Sequence, residues 1–154
     1  MRINFYDARI ADHNRTVLVK EKGINYECQK MDSPKEISLM LKKLLHMDKL
    51  AEEHVYLIAL NTSCKVLGIF FLSKGTICTS LVSPREVFLR AALIGAVQII
   101  LCHNHPSGNP VPSECDMELT KRLKDCGELL NICLADHIII GHNSYLSFRE
   151  AKLL

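Results

Sequence analysis

The densest chemistry in the chain lies in residues 99 to 116, Ile-Ile-Leu-Cys-His-Asn-His-Pro-Ser-Gly-Asn-Pro-Val-Pro-Ser-Glu-Cys-Asp. His103 and His105 stand one residue apart at the end of an apolar run. In an extended strand, residues i and i+2 point to the same face. Both imidazoles therefore leave the strand end side by side and can grip one ion. Pro106 and Gly108 stop the strand, Pro110 and Pro112 stiffen the loop, and Ser113 opens a helix with Asp116 three residues on. Asp116 has a local explanation, as the N3 partner of a capping box with Ser113. A carboxylate in the first helical turn also points back toward the strand end, so the two roles are compatible. Two imidazole nitrogens and one carboxylate suit zinc with a fourth position left open for water.

Other candidate ligands are weaker. Cys102 alternates away from the two histidines, and Cys115 reads as an ordinary thiol in the first helical turn. The seven cysteines are odd in number and form no C-x-x-C pair, which predicts free thiols in a reducing cytoplasm. Asp136-His137 has two readings. It is either a carboxylate–imidazole pair behind the metal ligands or a buried, hydrogen-bonded histidine at a strand end. His54 reads as structural, His142 as a turn residue, and His13 and His46 as surface histidines.

These residues need a scaffold, and 154 residues are enough for one domain with a substantial core. Hydrophobic content of 48% and a net charge of +2 describe a globular chain with no strong electrostatic claim on nucleic acid. No apolar run approaches the ~20 residues that span a bilayer, and the N-terminus has no signal-peptide core, so a cytoplasmic location without membrane contact is expected. Ser33-Pro34 and Ser83-Pro84 each start a helix, with Glu36 and Glu86 placed to complete capping boxes. Ile37, Met40, Leu41, Leu44 and Leu45 carry the first helix to about His46, and the second runs to about Val97. Met117 to Leu130 is a third, amphipathic helix.

Strands are expected at Val55–Leu60, Val66–Leu72, about 77–81, Gln98–Leu101 and Ile132–Gly141, and a short strand with a helical tail at Tyr145–Leu154. Arg15–Lys20 and Ile24–Cys28 read as short strands divided at Gly23. The pattern is an α/β sandwich, a mixed sheet with helices packed on it. Residues 1–32 form an extension of short strands on a domain at 33–154, one globular unit overall.

The string His103-x-His105, seven residues, Ser113, two residues, Asp116 matches the zinc signature of the JAMM (MPN-type, JAB) metalloprotease superfamily. The wider text resembles the bacterial RadC family within it: Ser83-Pro-Arg-Glu-Val-Phe, His103-Asn-His-Pro-Ser-Gly, Pro112-Ser-x-x-Asp116 and Asp136-His-Ile-Ile-Ile-Gly. The resemblance covers about residues 33 to 154. Longer members carry a helix-hairpin-helix region that residues 1–32 do not match. The resemblance implies a JAB/MPN-like fold of cytidine-deaminase-like architecture. It also implies one zinc ion held by His103, His105 and Asp116, with Ser113 stabilising the oxyanion formed when water attacks a carbonyl. The superfamily needs an upstream glutamate at the start of the first core strand, and Glu53 falls at that place. Glu52 and Glu86 are its rivals.

The function that follows is hydrolysis of an amide or isopeptide bond in a protein or peptide by a zinc-activated water, with Glu53 moving the proton. The alternative is a non-catalytic or nucleic-acid-associated module in DNA repair or mobile-element biology. Against a DNA role, Lys121, Arg122 and Lys124 make only one basic helical turn. The three consecutive letters His-Asn-His do not fit the HNH nucleases, whose residues spread over a ββα unit. A zinc deaminase would need a Pro-Cys-x-x-Cys pair that is absent.

Overall fold

A computed structural model of the chain describes residues 1–27, 31, 33–75 and 82–154. Seven strands form one mixed sheet: β1 (Arg2–Ala11), β2 (Arg15–Asn25), β3 (His54–Leu60), β4 (Val66–Lys74), β5 (Gln98–Asn104), β6 (Cys133–Ile140) and β7 (Tyr145–Ser147). Their order across the sheet is β2-β1-β4-β3-β5-β6-β7. The β1/β4 and β5/β6 pairs are parallel and the other neighbours antiparallel. Among the described residues there are three α-helices, α1 (Pro34–Leu45), α2 (Pro84–Leu93) and α3 (Glu114–Leu130). A parallel β5/β6 pair requires a crossover, and α3 supplies it.

The central strands are apolar on both sides because both sides are covered. Along β3, Val55, Leu57 and Ala59 join the core layer of α2 and α3, while Ile58 and Leu60 join the layer of α1. Along β5, Ile99 and Leu101 belong to the first layer, Ile100 and Cys102 to the second. Two-residue alternation thus carries His103 to the α3 side of the sheet. Helix α1 buries Ile37, Met40 and Leu41 at three- and four-residue spacing, as expected of an amphipathic helix. The expected sandwich of a mixed sheet between helices is the architecture found.

Several local expectations are corrected. The N-terminal strands are longer than expected and meet at Asp12–Asn14, where His13 and Asn14 take φ values of 60° and 55°. Gly23 lies inside β2 opposite Asn4, and a Cβ there would stand 2.8 Å from side-chain atoms of Arg2 and Asn4. The glycine accommodates crowding within the hairpin and does not divide it. Ser33 and Ser83 make no side-chain cap bond. Their ψ angles are 126° and 135°, whereas Ser113, which does cap, has ψ of 168°. Glu86 bonds Arg85 and Arg90 instead of closing a cap.

After β7 the chain ends in turns, not a helix. Cys64, Cys102, Cys126 and Cys133 are free, but Cys115 is disulfide-bonded, a pairing set by tertiary proximity that sequence spacing does not reveal. The strand expected at about 77–81 falls outside the described residues. Among those described, no helix is long and apolar enough to cross a membrane.

Candidate metal centre

Strand register brings the site together. In the antiparallel β3/β5 ladder Val55 faces His103 and each step of β3 runs against one of β5. Continued past the strand ends, the same register sets residue 53 against residue 105. Because side chains alternate, Glu53, His103 and His105 then share the face on which α3 begins. Glu52 falls on the other side and pairs with Lys74. Thus Glu53, and neither Glu52 nor the arginine-bound Glu86, joins His103, His105 and Asp116. Ligand atoms of these four residues all lie within 4.8 Å of one another, and they could hold a metal ion.

Asn104 fixes the upstream edge of this cluster. Its Oδ1 accepts from the His54 N–H at 2.8 Å, and its Nδ2 donates to the Glu52 carbonyl at 3.1 Å. The buried amide therefore clasps the backbone on both sides of Glu53, in the manner of one more ladder rung. The Glu53 carbonyl accepts from Gly75 N–H at 2.9 Å, which holds the same residue from the β4 side.

The downstream edge is the start of α3. Ser113 N–H and Ser113 Oγ–H both donate to Asp116 Oδ2, at 2.7 Å each, and Asp116 N–H donates back to Ser113 Oγ at 3.2 Å. The capping box read from the sequence is present. Between the two edges, the 106–112 loop closes over His105. Gly108 has φ of +80°, and a Cβ there would collide with the His142 ring at 2.5 Å, so both conformation and space call for glycine.

Both histidines aim Nε2 inward. His103 Nε2 is 3.0 Å from His105 Nε2 and 3.2 Å from Asp116 Oδ1, while His105 Nε2 is 3.5 Å from Asp116 Oδ2. His105 Nδ1 donates to the Asn109 carbonyl at 2.9 Å; a carbonyl can only accept, so neutral His105 presents an unprotonated Nε2. Two nitrogen lone pairs meeting at one point, with a carboxylate against both and Glu53 Oε1 3.9 Å from His103 Nε2, are a donor set that a divalent cation satisfies.

Burial sets the electrostatics. His103 is fully buried, which pushes its pKa down against the pull of Asp116. Asp116 is buried too, but donation from the His103 and His105 rings in their protonated forms, together with the Ser113 N–H, outweighs desolvation and holds its carboxyl far below the usual range. His105 is raised, chiefly because its protonated form donates from Nε2 to Asp116.

Asp136 and His137 lie behind this cluster and diverge. His137 is fully buried, its Nε2 2.8 Å from His103 Nδ1, its ring stacked on Phe148. The Asp136 carboxylate accepts from the backbone N–H groups of His137 and Arg149 and from the Ser147 hydroxyl. It therefore anchors β7 and the following turn, and the group bonded to the far side of the His137 ring is Thr120. Asn104 and Thr120 were not singled out from sequence. Thr120 carried a usable signal, since it follows Asp116 by one helical turn on the same face. Asn104 carried none without the β3/β5 pairing.

The family described as RadC-like JAB domain matches residues 31–153. UPF0758 proteins of Clostridium beijerinckii and Clostridium acetobutylicum are 43% and 46% identical over 133 and 131 residues, covering 86% and 84% of this chain. A UPF0758 protein of Clostridium novyi is 48% identical over 103 residues. The chain spans about half the length of these relatives, 57%, 56% and 45% respectively. Matched over residues 31–153, most of its length, the chain belongs to the RadC family of JAB-domain proteins.

Proposed function

We propose that this chain is a zinc-dependent hydrolase of amide or isopeptide bonds. His103, His105 and Asp116 would hold the ion, Glu53 would act as general base and acid, and Ser113 would stabilise the oxyanion. The observation that carries this reading is the convergence of two inward-facing imidazole nitrogens and two carboxylates within 4.8 Å. When bound, zinc supplies Lewis acidity and lowers the pKa of a bound water from about 15.7 to about 7.

Glu53 is only 14% exposed, set beside His103, and its backbone is clasped from both sides. Such a carboxylate can take a proton from an attacking water and return it to the leaving amine. Ser113 Oγ–H now points at Asp116 Oδ2, and a small rotation would turn it toward a substrate oxygen. Residues of the 106–112 loop would border the substrate, because they lie immediately outside His105 and Asp116. For the nucleic-acid-associated alternative no specific observation stands out; within the basic turn of α3, Lys121 is tied to Asp125 at 2.8 Å.

Metal analysis beside a peptide and DNA cleavage screen tests the proposal. Wild type should carry one zinc per chain and cleave an amide or isopeptide substrate. Glu53→Gln should keep the zinc and lose turnover, and His103→Ala should lose both. Full turnover by Glu53→Gln would remove the proposed base.

A further inference from the structure

A buried chain of hydrogen bonds runs from the candidate metal centre into α3. His103 Nδ1 lies 2.8 Å from His137 Nε2, His137 Nδ1 lies 2.6 Å from Thr120 Oγ1, and Thr120 Oγ1 lies 2.6 Å from the Asp116 carbonyl oxygen. His103 and His137 have no exposed surface and Thr120 has 3%, so bulk water does not interrupt the chain.

Counting protons along it leaves one arrangement. The Asp116 carbonyl can only accept, so the single hydroxyl proton of Thr120 lies on that bond. Thr120 Oγ1 must then accept from His137, which places the His137 proton on Nδ1. The His137 ring is buried against Phe148, Thr120 and His103, a setting in which imidazole stays neutral. With its proton on Nδ1, His137 offers a bare Nε2, which accepts from His103 Nδ1–H. His103 is thereby left with its lone pair on Nε2, the atom facing His105 and Asp116.

We propose that Thr120 and His137 are positioning residues that fix His103 in its metal-binding tautomer before any metal arrives. The inference rests on the metal-site reading above and adds the device that readies one ligand for it. His105 obtains the same tautomer from the Asn109 carbonyl, a fixed acceptor in the loop. His103 has no carbonyl at Nδ1 and borrows one: His137 and Thr120 relay the polarity of the Asp116 carbonyl across two side chains. Asp116 would thus serve the ion twice, through its carboxylate directly and through its own backbone by way of the relay. Loss of a partner behind a metal-ligating histidine generally weakens metal affinity by about 10- to 100-fold.

The test uses the full chain, zinc as the probe, and the variants Thr120→Val, which removes only the hydroxyl, and Thr120→Ser, which restores it. Long-range ¹⁵N–¹H spectra of the histidine rings in chelator-treated protein should show His103 protonated on Nδ1 in wild type and Thr120→Ser. Thr120→Val should show a mixed tautomer. Competition with a chromophoric chelator should give a zinc affinity about 10- to 100-fold weaker for Thr120→Val and within about 3-fold of wild type for Thr120→Ser. Circular dichroism confirms that each variant is folded, and His137→Gln provides a second break in the chain should Thr120→Val not fold.

A wild-type spectrum with His103 protonated on Nε2 would overturn the inference. So would wild-type zinc affinity in a folded Thr120→Val or His137→Gln protein. Wild type that binds no zinc would sink the site reading itself, and the capture role with it. Zinc-binding wild type with an unaffected Thr120→Val sinks the relay alone.

Discussion

Ser113 and Asp116 hold one another through three hydrogen bonds, two of which end on the same carboxylate oxygen, Oδ2. That leaves Oδ1 turned to His103 at 3.2 Å. Helix cap and candidate ligand are therefore one carboxylate, with Oδ1 facing His103 alone and Oδ2 shared between the cap and His105. Ser113→Ala should lower stability by about 1 kcal/mol, the usual effect of losing a cap, while zinc stays bound. If Ser113 also stabilises the oxyanion, turnover should fall by roughly 100- to 1,000-fold, far beyond the stability effect. Thermal melts and steady-state kinetics on the same preparation separate the two, and a turnover loss under about 3-fold would leave Ser113 with capping alone.

Asn104 acts on Glu53 through backbone, not side chain. Asn104→Ala strands the His54 N–H and the Glu52 carbonyl and should destabilise the fold by about 1–3 kcal/mol. Its more telling effect should be on turnover, which drops while zinc affinity stays within a few-fold of wild type, because the three expected ligands are untouched. Calorimetric zinc titration beside activity measurement checks this. Equal losses in both would mean that Asn104 supports the whole strand end rather than Glu53.

Zinc should raise the melting temperature of the chain, since a ligand that binds only the folded state stabilises it by about 2.7 kcal/mol at a free concentration 100 times its dissociation constant. His105→Ala should abolish that shift. Because His105 is 17% exposed and lies at the loop side, the metal-free variant should melt close to metal-free wild type. Melts with and without chelator decide it. A zinc-induced shift that survives in His105→Ala would place the ion elsewhere.

Asp136 supplies a pH dependence away from the candidate ligands. Burial raises the pKa of its carboxyl above the ordinary aspartate value of 3.8, against the pull of its bonds to Ser147, Arg149 and His137. The folded chain thus keeps a proton there that the unfolded chain releases. Stability from this group is fully present below pH 3.8 and declines as pH rises through the folded value. The slope within that window is at most about 1.4 kcal/mol per pH unit. Asp136→Asn has no charge to bury and retains an acceptor for the two backbone N–H groups, so its stability relative to wild type should improve as pH rises through the window. Denaturant melts of both chains between pH 4 and pH 7 give the difference, and parallel curves would show that the bonds offset burial fully.

Much of the site was legible because it is local. The turn-breaking prolines, the Ser113–Asp116 spacing and the two-residue step from His103 to His105 all act within one stretch of chain, where periodicity and capping chemistry suffice. Glu53 was placed through resemblance, since residues 53 and 105 are neighbours only through the β3/β5 ladder. Glu52 and Glu53 differ by one residue, and only that ladder decides which carboxylate faces inward. The relay through His137 likewise needs the β5/β6 register, which pairs Leu101 with His137 and so sets that ring beside His103. In the N-terminal hairpin Gly23 suggests a turn by residue type alone, whereas it sits inside β2 beneath the Arg2 and Asn4 side chains, a neighbourhood that only the β1/β2 pairing creates. The Ser33 and Ser83 boxes had the right letters but not the backbone angle at the cap.

Of the three stretches that meet at the candidate metal centre, the end of β5 and the start of α3 are joined by one short loop, and only the start of β3 has to be brought in by the zipping of the sheet's middle strands. The three proposed ligands can therefore gather within one stretch of chain, while the proposed base Glu53 arrives only with the slower, non-local pairing of β3 with β5. Holding the ion and being able to use it would thus be separate stages of folding, with the second one marking closure of the native sheet.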